Sequence, residues 1–140
     1  MKLKIYNFNL PVFFFILLSG CSSIAPFNQR AYEQATSLKV DALMLLNYAA
    51  EPYAKHEQKI ETLKINLEKA YEYAKGRNKN EITTQQWHII KDPSRNSLGG
   101  VLKKWENDTT LNKVFAEEAK QLVSDAFDAV ISLESGKIRK

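Results

Sequence analysis

Few side chains in this 140-residue chain are suited to catalysis or metal binding, because it contains only two His and one Cys. His56-Glu57 opens the sequence HEQKI, which matches the start of the zinc-binding pattern HExxH. The second His of that pattern would stand at position 60, where the chain has Ile. Glu57 and Glu61 share a helix face, as two metal-binding carboxylates would, but neighbouring lysines favour an exposed, ion-paired surface. The sequence therefore predicts no metal site.

Patterns for covalent catalysis and phosphate binding do not occur in the sequence. Leu98-Gly99-Gly100 lacks the GK[ST] ending of a phosphate loop. We interpret the two glycines as residues that allow two backbone segments to approach closely at a helix start. No nucleophile elbow or Ser-x-x-Lys sequence is present. His56 falls on an apolar helical stripe, which is typical of a core or boundary histidine. We therefore expect neither an enzyme nor a cofactor.

The amino-terminal segment has the pattern of an export signal. Lys2 and Lys4 precede an apolar run over residues 10–18, which is too short for a membrane-spanning helix of about 20 residues. The sequence LSGC occupies residues 18–21 and resembles the lipobox of bacterial lipoproteins. A lone Cys is usually a buried core residue, but burial is implausible directly behind a basic start and an apolar run.

The resemblance to bacterial lipoproteins implies a processing route and an address. In that family the signal, here residues 1–20, is cut between the positions of Gly20 and Cys21, the Cys sulfur takes a diacylglyceryl group, and the new amine is usually acylated. Acyl chains contribute about 0.8 kcal/mol per buried CH2, so this attachment would be effectively permanent. Ser22 in place of Asp implies the periplasmic face of the outer membrane, or the outer leaflet of the plasma membrane in a Gram-positive host. Residues 21–27 would form a lipidated tether with a reach of at most ~20 Å.

The charge balance argues against a nucleic-acid partner. The chain has 20 Lys and Arg against 16 Asp and Glu, and loss of Lys2 and Lys4 with the signal leaves 18 against 16, or +2. A nucleic-acid-binding domain usually presents a clustered basic face and a pI above about 9. The single Cys also excludes an internal disulfide.

The remaining chain is predicted to be all-α. Apolar residues recur at spacings of three and four along three segments of similar length, with Asn28 as the N-cap of the first and Thr110 as the N-cap of the last. Such lengths favour an antiparallel three-helix bundle over residues 28–136, because each apolar stripe is then covered from end to end. The segments are 28–50, 52–76 and 110–135, and their predicted core positions are Tyr32, Ala35, Ala42, Leu46, Ala49, Tyr53, His56, Ile60, Leu63, Leu67, Ala70, Ala74, Leu111, Phe115, Ala119, Leu122, Ala126, Ala129 and Leu133.

Pro52 leaves two arrangements open. One is a single kinked helix over residues 28–76, which would pair with a second copy in a dimeric coiled coil to cover its stripe. The other is a break near Glu51, with Pro52 in the first position of the second helix, where a missing N–H costs nothing. Residues 48–56 contain no Gly, Asn, Asp or Ser to make a turn, yet the equal helix lengths lead us to favour the break.

The connection over residues 77–109 is predicted to contain one or two short helices. Thr83 with Gln86 three residues later matches a capping box for a helix over residues 84–91. A second short helix is predicted over residues 98–106, although its two glycines weaken it.

The same connection contains the candidate partner-binding surface, since Trp and Arg are enriched at binding hot spots. The alternative is that both indoles close one open end of the bundle as core aromatics. The basic tail over residues 137–140 is predicted to be a frayed, solvated end, with membrane contact as a second option. The candidate surface consists of Trp87, Arg95, Lys103, Lys104 and Trp105.

These features predict a membrane-anchored, periplasmic helical lipoprotein that acts in protein–protein interaction or envelope scaffolding. Its expected partners are the membrane, through acylated Cys21, and an envelope protein or a second copy of the chain. Two alternatives remain open. One is a module that binds an apolar or lipid-like ligand between helices, and the other is a self-protection lipoprotein that excludes a toxin or a phage.

Overall fold

A computed structural model describes residues 24–137, and this part of the chain is all-helical, without strands, as predicted. The predicted signal over residues 1–20 lies outside the described residues, as do Cys21 and Ser22. Within residues 24–137, five α-helices and one short 3-10 helix follow one another. They are α1 (Gln29–Leu46), the 3-10 helix Tyr53–Lys55, α2 (Glu57–Lys75), α3 (Glu81–Lys91), α4 (Leu98–Asp108) and α5 (Lys113–Ser135).

The helices form a bundle around one apolar core. α1 packs against α2 and α5, and α3 also packs against both of these helices, while α4 covers the core beside α3, α5 and the 3-10 helix. The Tyr73 hydroxyl lies 3.1 Å from Asn28 Oδ1, so the end of α2 meets the start of α1 and the two run antiparallel. Both predicted short helices are present. The first of them, α3, packs as a fourth helix beside the three long ones. The largest fully buried apolar side chains are Trp105, Phe127, Leu46, Ile60, Leu67, Ile90, Leu98, Leu102, Val123 and Val130.

The predicted break between the first two helices is confirmed, but its form differs from the prediction. α1 ends at Leu46, and Pro52 precedes the 3-10 helix instead of opening α2, which begins five residues later. Residues 48–56 contain no Gly, Asn, Asp or Ser, and hydrogen bonds to the α4–α5 turn hold this segment in place instead. Tyr53 N donates to Thr109 O and Leu111 N donates to Ala49 O, each at 2.8 Å. These long-range bonds leave no pattern in the local sequence.

Two helix starts also differ from the prediction, whereas the Asn28 cap is confirmed by its 2.9 Å bond from Ala31 N. α3 begins at Glu81, so Thr83 is a buried residue of its first turn and not a cap. α5 begins after Asn112, whose Oδ1 accepts a 2.8 Å hydrogen bond from Val114 N, and not after Thr110.

The predicted core face of α5 is partly wrong. Leu122 is 54% exposed, whereas Val123 and Phe127 are fully buried. The predicted series was counted from Leu111, which is buried but lies in the turn before the helix. Because Leu111 is not part of α5, a helical period counted from it does not match the buried face of the helix. Across residues 24–137, none of the helices has the combination of length and apolarity that a membrane crossing requires.

Candidate interaction surfaces

The segment that precedes α1 is fixed to the bundle from Ala25 onward, so only part of the predicted tether over residues 21–27 can extend. Ala25 is 2% exposed, and its N–H donates to Lys79 O at 2.8 Å in the α2–α3 turn. The Arg77 guanidinium donates to Pro26 O at 2.5 Å. Residues 22–24 are thus all that separates Cys21 from a residue held on the bundle.

A buried ionic cluster, which we call the clasp, consists of Arg77, Asn80, Thr83, Glu134 and Lys137. Glu134 is fully buried and accepts hydrogen bonds from Arg77 at 3.0 and 3.1 Å and from the Lys137 ammonium at 2.5 Å. The same ammonium also donates to Asn80 Oδ1 at 2.5 Å and to Thr83 Oγ1 at 3.1 Å. The clasp therefore joins the α2–α3 turn, the first turn of α3 and the residues that follow α5.

The prediction of a solvated tail over residues 137–140 is wrong for Lys137, which is only 6% exposed, and residues 138–140 lie outside the described part of the chain. Burial is the main cause that lowers the pKa of the Lys137 ammonium, and the nearby Arg77 cation lowers it further, while the hydrogen bond to Glu134 acts in the opposite direction. Two cations share one carboxylate in the clasp. A buried group of this kind is stable only while every charge in it keeps its partner.

Glu134 went unnoticed in the sequence because charged residues near a helix end are usually solvated. One signal could have revealed it. Val123, Phe127 and Val130 are core residues of α5, and the next position on that face is Glu134. A carboxylate at a core position of a helix indicates a buried ion pair, and hence a cation elsewhere in the fold.

A second surface, which we call the Arg95 groove, lies between the α3–α4 loop, α4 and the first half of α5. It is an open groove of about 400 Å³. Arg95 stands on its rim with 63% of its side chain exposed, and its Nε lies 3.8 Å from Asp92, too far for a hydrogen bond. The groove is lined by Pro93, Ser94, Arg95, Asn96, Gly100, Val101, Lys104, Phe115, Glu118, Ala119 and Leu122.

The loop that carries Arg95 is shaped by a turn and by close backbone packing. Asp92 Oδ1 accepts hydrogen bonds from Ser94 N at 2.8 Å and from Ser94 Oγ at 2.7 Å, and these bonds hold the pKa of the Asp92 carboxyl below its ordinary value. A Cβ on Gly99 would overlap the Lys91 carbonyl, and one on Gly100 would overlap the Arg95 carbonyl. The predicted close approach of backbones at this helix start is therefore confirmed.

The five predicted surface residues do not form one surface. Trp87 and Trp105 are 3% and 0% exposed, so both indoles belong to the core and cannot contact a partner. The Trp105 indole N–H is also occupied, because it donates to Glu51 O at 2.8 Å. Arg95 and Lys104 do line the same groove, with Lys104 bonded to Asp108 at 2.6 Å.

Lys103 lies on a different face, where it lines a groove beside α2 and bonds to Glu106 at 3.1 Å. Exposed apolar residues that sequence reasoning did not select include Leu122, which lies in the Arg95 groove. The prediction that Leu122 belongs to the core is wrong, because the apolar period of α5 does not start at Leu111. A correct phase for α5 would have placed this leucine on the surface.

His56 is a boundary histidine, as predicted. Its ring stacks on Tyr48 at 4.9 Å between centroids, and its Nε2 lies 3.2 Å from the Glu51 carboxylate. Within residues 24–137, no three His, Cys, Asp or Glu side chains are placed to hold a metal ion together. Comparisons with family models, with curated proteins and with solved structures found no match to this chain.

Proposed function

We propose that this protein is a lipid-anchored helical module of the bacterial envelope that binds another protein and performs no catalysis. The LSGC sequence supports the anchor at Cys21, and Ser22 supports the periplasmic face of the outer membrane as its address. Ala25 and Pro26 support a short connection, since their hydrogen bonds hold the chain to the bundle four residues after Cys21.

The Arg95 groove is the observation that carries protein binding. Leu122 exposes 54% of its surface beside a guanidinium that makes no close hydrogen bond to Asp92. Exposed apolar surface next to Arg is typical of binding hot spots. The matching partner is a protein segment that places an apolar side chain on Leu122 and Phe115 and a carboxylate on Arg95, because Arg binds carboxylates in a two-pronged geometry.

Photo-cross-linking in living cells tests this proposal. A photoreactive amino acid replaces Arg95, and a matched probe replaces Lys69, which is exposed on α2 away from the groove. We expect mass spectrometry to find one dominant envelope protein bound to the probe at position 95 and not to the probe at position 69. The same adducts from both positions, or only self-adducts from position 95, would argue against a groove-specific partner.

A second candidate function is the binding of an apolar or lipid-like ligand. It is favoured by an open groove of about 430 Å³ between α1 and α2, where Met44 and Tyr48 are 60% and 43% exposed. Native mass spectrometry of the detergent-extracted protein would reveal a small molecule retained there. Self-protection against a toxin or phage would require the same location in the envelope. The cross-linking experiment also tests this alternative, because a toxin or phage protein bound at the groove would be identified among the adducts.

A further inference from the structure

We propose that the clasp end of the bundle rests directly on the bilayer, where its basic side chains contact anionic lipid headgroups. The clasp end comprises Ile24, the start of α1, the α2–α3 turn and Lys137. This inference rests on the proposed lipidation of Cys21. It adds an orientation and a second membrane contact, neither of which an acyl anchor on a free tether would provide.

The short connection sets the distance between the bundle and the membrane. Four Cα steps separate Cys21 from Ala25, and a fully extended chain covers at most ~14 Å in four steps. Ala25 cannot swing away from the bundle, because it is buried and bonded to Lys79 O. The α2–α3 turn therefore stays within this distance of the acylated residue.

The same geometry excludes an inverted bundle, with its opposite end against the bilayer. α2 has 19 residues and so spans about 28 Å. Its far end meets the α4–α5 turn, where Tyr53 N bonds to Thr109 O. If the bundle pointed this end at the membrane, the fixed position of Ala25 would have to be given up. A bundle lying on its side would keep that position but would bring both ends equally close to the bilayer.

Charge and polarity at the clasp end fit a lipid surface. Arg30 is exposed in the first turn of α1, where its guanidinium lies 4.8 Å from the Tyr73 ring centroid, and 56% of the Lys75 side chain is exposed. Ile24 is 42% exposed, immediately after the connection to Cys21. Basic side chains near an anionic leaflet are attracted to it over about one Debye length.

Lys137 also lies at this end, because the clasp joins it to Asn80 in the α2–α3 turn. Acidic side chains also lie at this end, since Glu81 is exposed in the first turn of α3, Glu72 bonds to Lys75 at 3.2 Å, and Glu134 is buried between two cations. The cations of this end therefore leave only a small positive excess; they are Arg30, Lys75, Arg77, Lys79 and Lys137.

Fluorescence quenching on vesicles tests the orientation. Cys21 is the only Cys, so when it is acylated a Cys introduced elsewhere takes a fluorophore uniquely. Asn78→Cys labels the α2–α3 turn, and Asn107→Cys labels a matched exposed Asn near the α4–α5 turn. The acylated full-length mature protein is placed in vesicles of phosphatidylethanolamine with about one-quarter phosphatidylglycerol, which contain a nitroxide lipid with its label at the headgroup.

We expect the label at position 78 to be quenched at least roughly threefold more than the label at position 107, because about 28 Å separate the two ends. The double variant Arg30→Gln and Lys75→Gln should lower the quenching at position 78 by about half, since it removes the charges that face the lipid. Lys55→Gln with Lys113→Gln is the matched control at the far end and should leave the quenching unchanged.

Intact mass separates the two possible failures. A protein without acyl chains would overturn the proposed anchor and this orientation with it. An acylated protein with equal quenching at positions 78 and 107 would overturn the orientation alone. Quenching that does not respond to the Arg30 and Lys75 substitutions would overturn the headgroup contact.

Discussion

At the scale of single residues, we expect the loss of the Glu134 side chain to destabilise the fold strongly. Glu134 is fully buried and pairs with both Arg77 and Lys137. Removal of one partner from a buried ion pair leaves an uncompensated charge and costs about 3–5 kcal/mol. We therefore expect Glu134→Ala to lower the free energy of unfolding by that amount in a urea titration.

Glu117→Ala is the matched control on the same helix. Glu117 bonds to Lys120 at 3.0 Å, but 72% of its side chain is exposed, and exposed pairs contribute less than about 1 kcal/mol. Similar losses in the two variants would show that the clasp is not an electrostatic unit.

Lys137 makes a prediction about pH. Its pKa is lowered in the folded protein, mainly by burial, so the folded chain releases this proton at a lower pH than the unfolded chain does. Between the folded pKa and the unfolded value of 10.5, the unfolded chain binds more protons, and the free energy of unfolding therefore rises with pH in that window.

Lys137→Met removes this titration and leaves the other groups in place. The difference in unfolding free energy between the original protein and the variant should grow in favour of the original protein as the pH rises toward the unfolded value of 10.5. Chemical denaturation at several pH values measures it. A difference that stays constant with pH would contradict the lowered pKa.

At the scale of the elements, the start of α4 depends on two glycines with no room for a side chain. A Cβ on Gly100 would overlap the Arg95 carbonyl, so the loop or the helix must move. Overpacking of this kind typically costs about 1–3 kcal/mol, and we expect Gly100→Ala to lose at least that much stability in thermal or urea unfolding.

Gly76→Ala is the control for this variant. Gly76 has a right-handed φ of −72°, and its nearest contact for a Cβ is an ordinary 3.4 Å from Glu72 O. We expect a change within about 0.5 kcal/mol there. If Gly100→Ala is equally harmless, the close packing of the Arg95 loop on α4 is not present in solution.

The turn between α4 and α5 stores backbone strain. Thr109 has φ 67° and ψ −42°, and Thr110 N donates to Asp108 O at 2.8 Å, which together define a γ-turn of the rare, strained type. A β-branched residue with positive φ is especially unfavourable. Thr109→Gly should therefore raise the free energy of unfolding by about 1 kcal/mol.

Thr110→Gly supplies the comparison for the γ-turn. This residue is also exposed, but its φ is not positive, so Gly there should add only flexibility to the unfolded chain and lower stability slightly. If Thr109→Gly is destabilising to the same extent as Thr110→Gly, the turn is not strained.

The helices themselves were largely predictable from the sequence, because burial follows the helical period where a helix keeps one face in the core. Every predicted core position of the second segment is buried, including His56. In α5 the same reasoning placed Leu122 inside, since the count began at Leu111, before the helix. Local periodicity contains no information about where a helix begins.

The candidate surfaces were less predictable, because they depend on contacts between distant positions. Arg95 and Lys104 were selected by residue type and do share a groove, whereas the two Trp of the same stretch are buried. Arg77 and Glu134 are 57 positions apart, and nothing in either local sequence indicates that they meet. Only the core register of Glu134 pointed to a buried charge.

At the scale of the whole molecule, the clasp end, to which the proposed anchor would connect, and the proposed binding surface lie in different parts of the bundle. Phe115 and Leu122 occupy the first half of α5, and Glu134 lies near its end. At 1.5 Å per residue the groove is about 18–28 Å from the clasp. In the proposed orientation the groove would therefore face a partner in the periplasm, and not the membrane itself.

The orientation and the envelope partner both depend on the proposed acylation of Cys21. Intact mass spectrometry of the protein extracted from cell membranes tests the acylation, with Cys21→Ser as the comparison. We expect a mature chain that begins at Cys21 and carries acyl chains, whereas the variant keeps its signal and gains no lipid. A mature chain that begins elsewhere, or one whose Cys21 is unmodified, would contradict the proposed acylation.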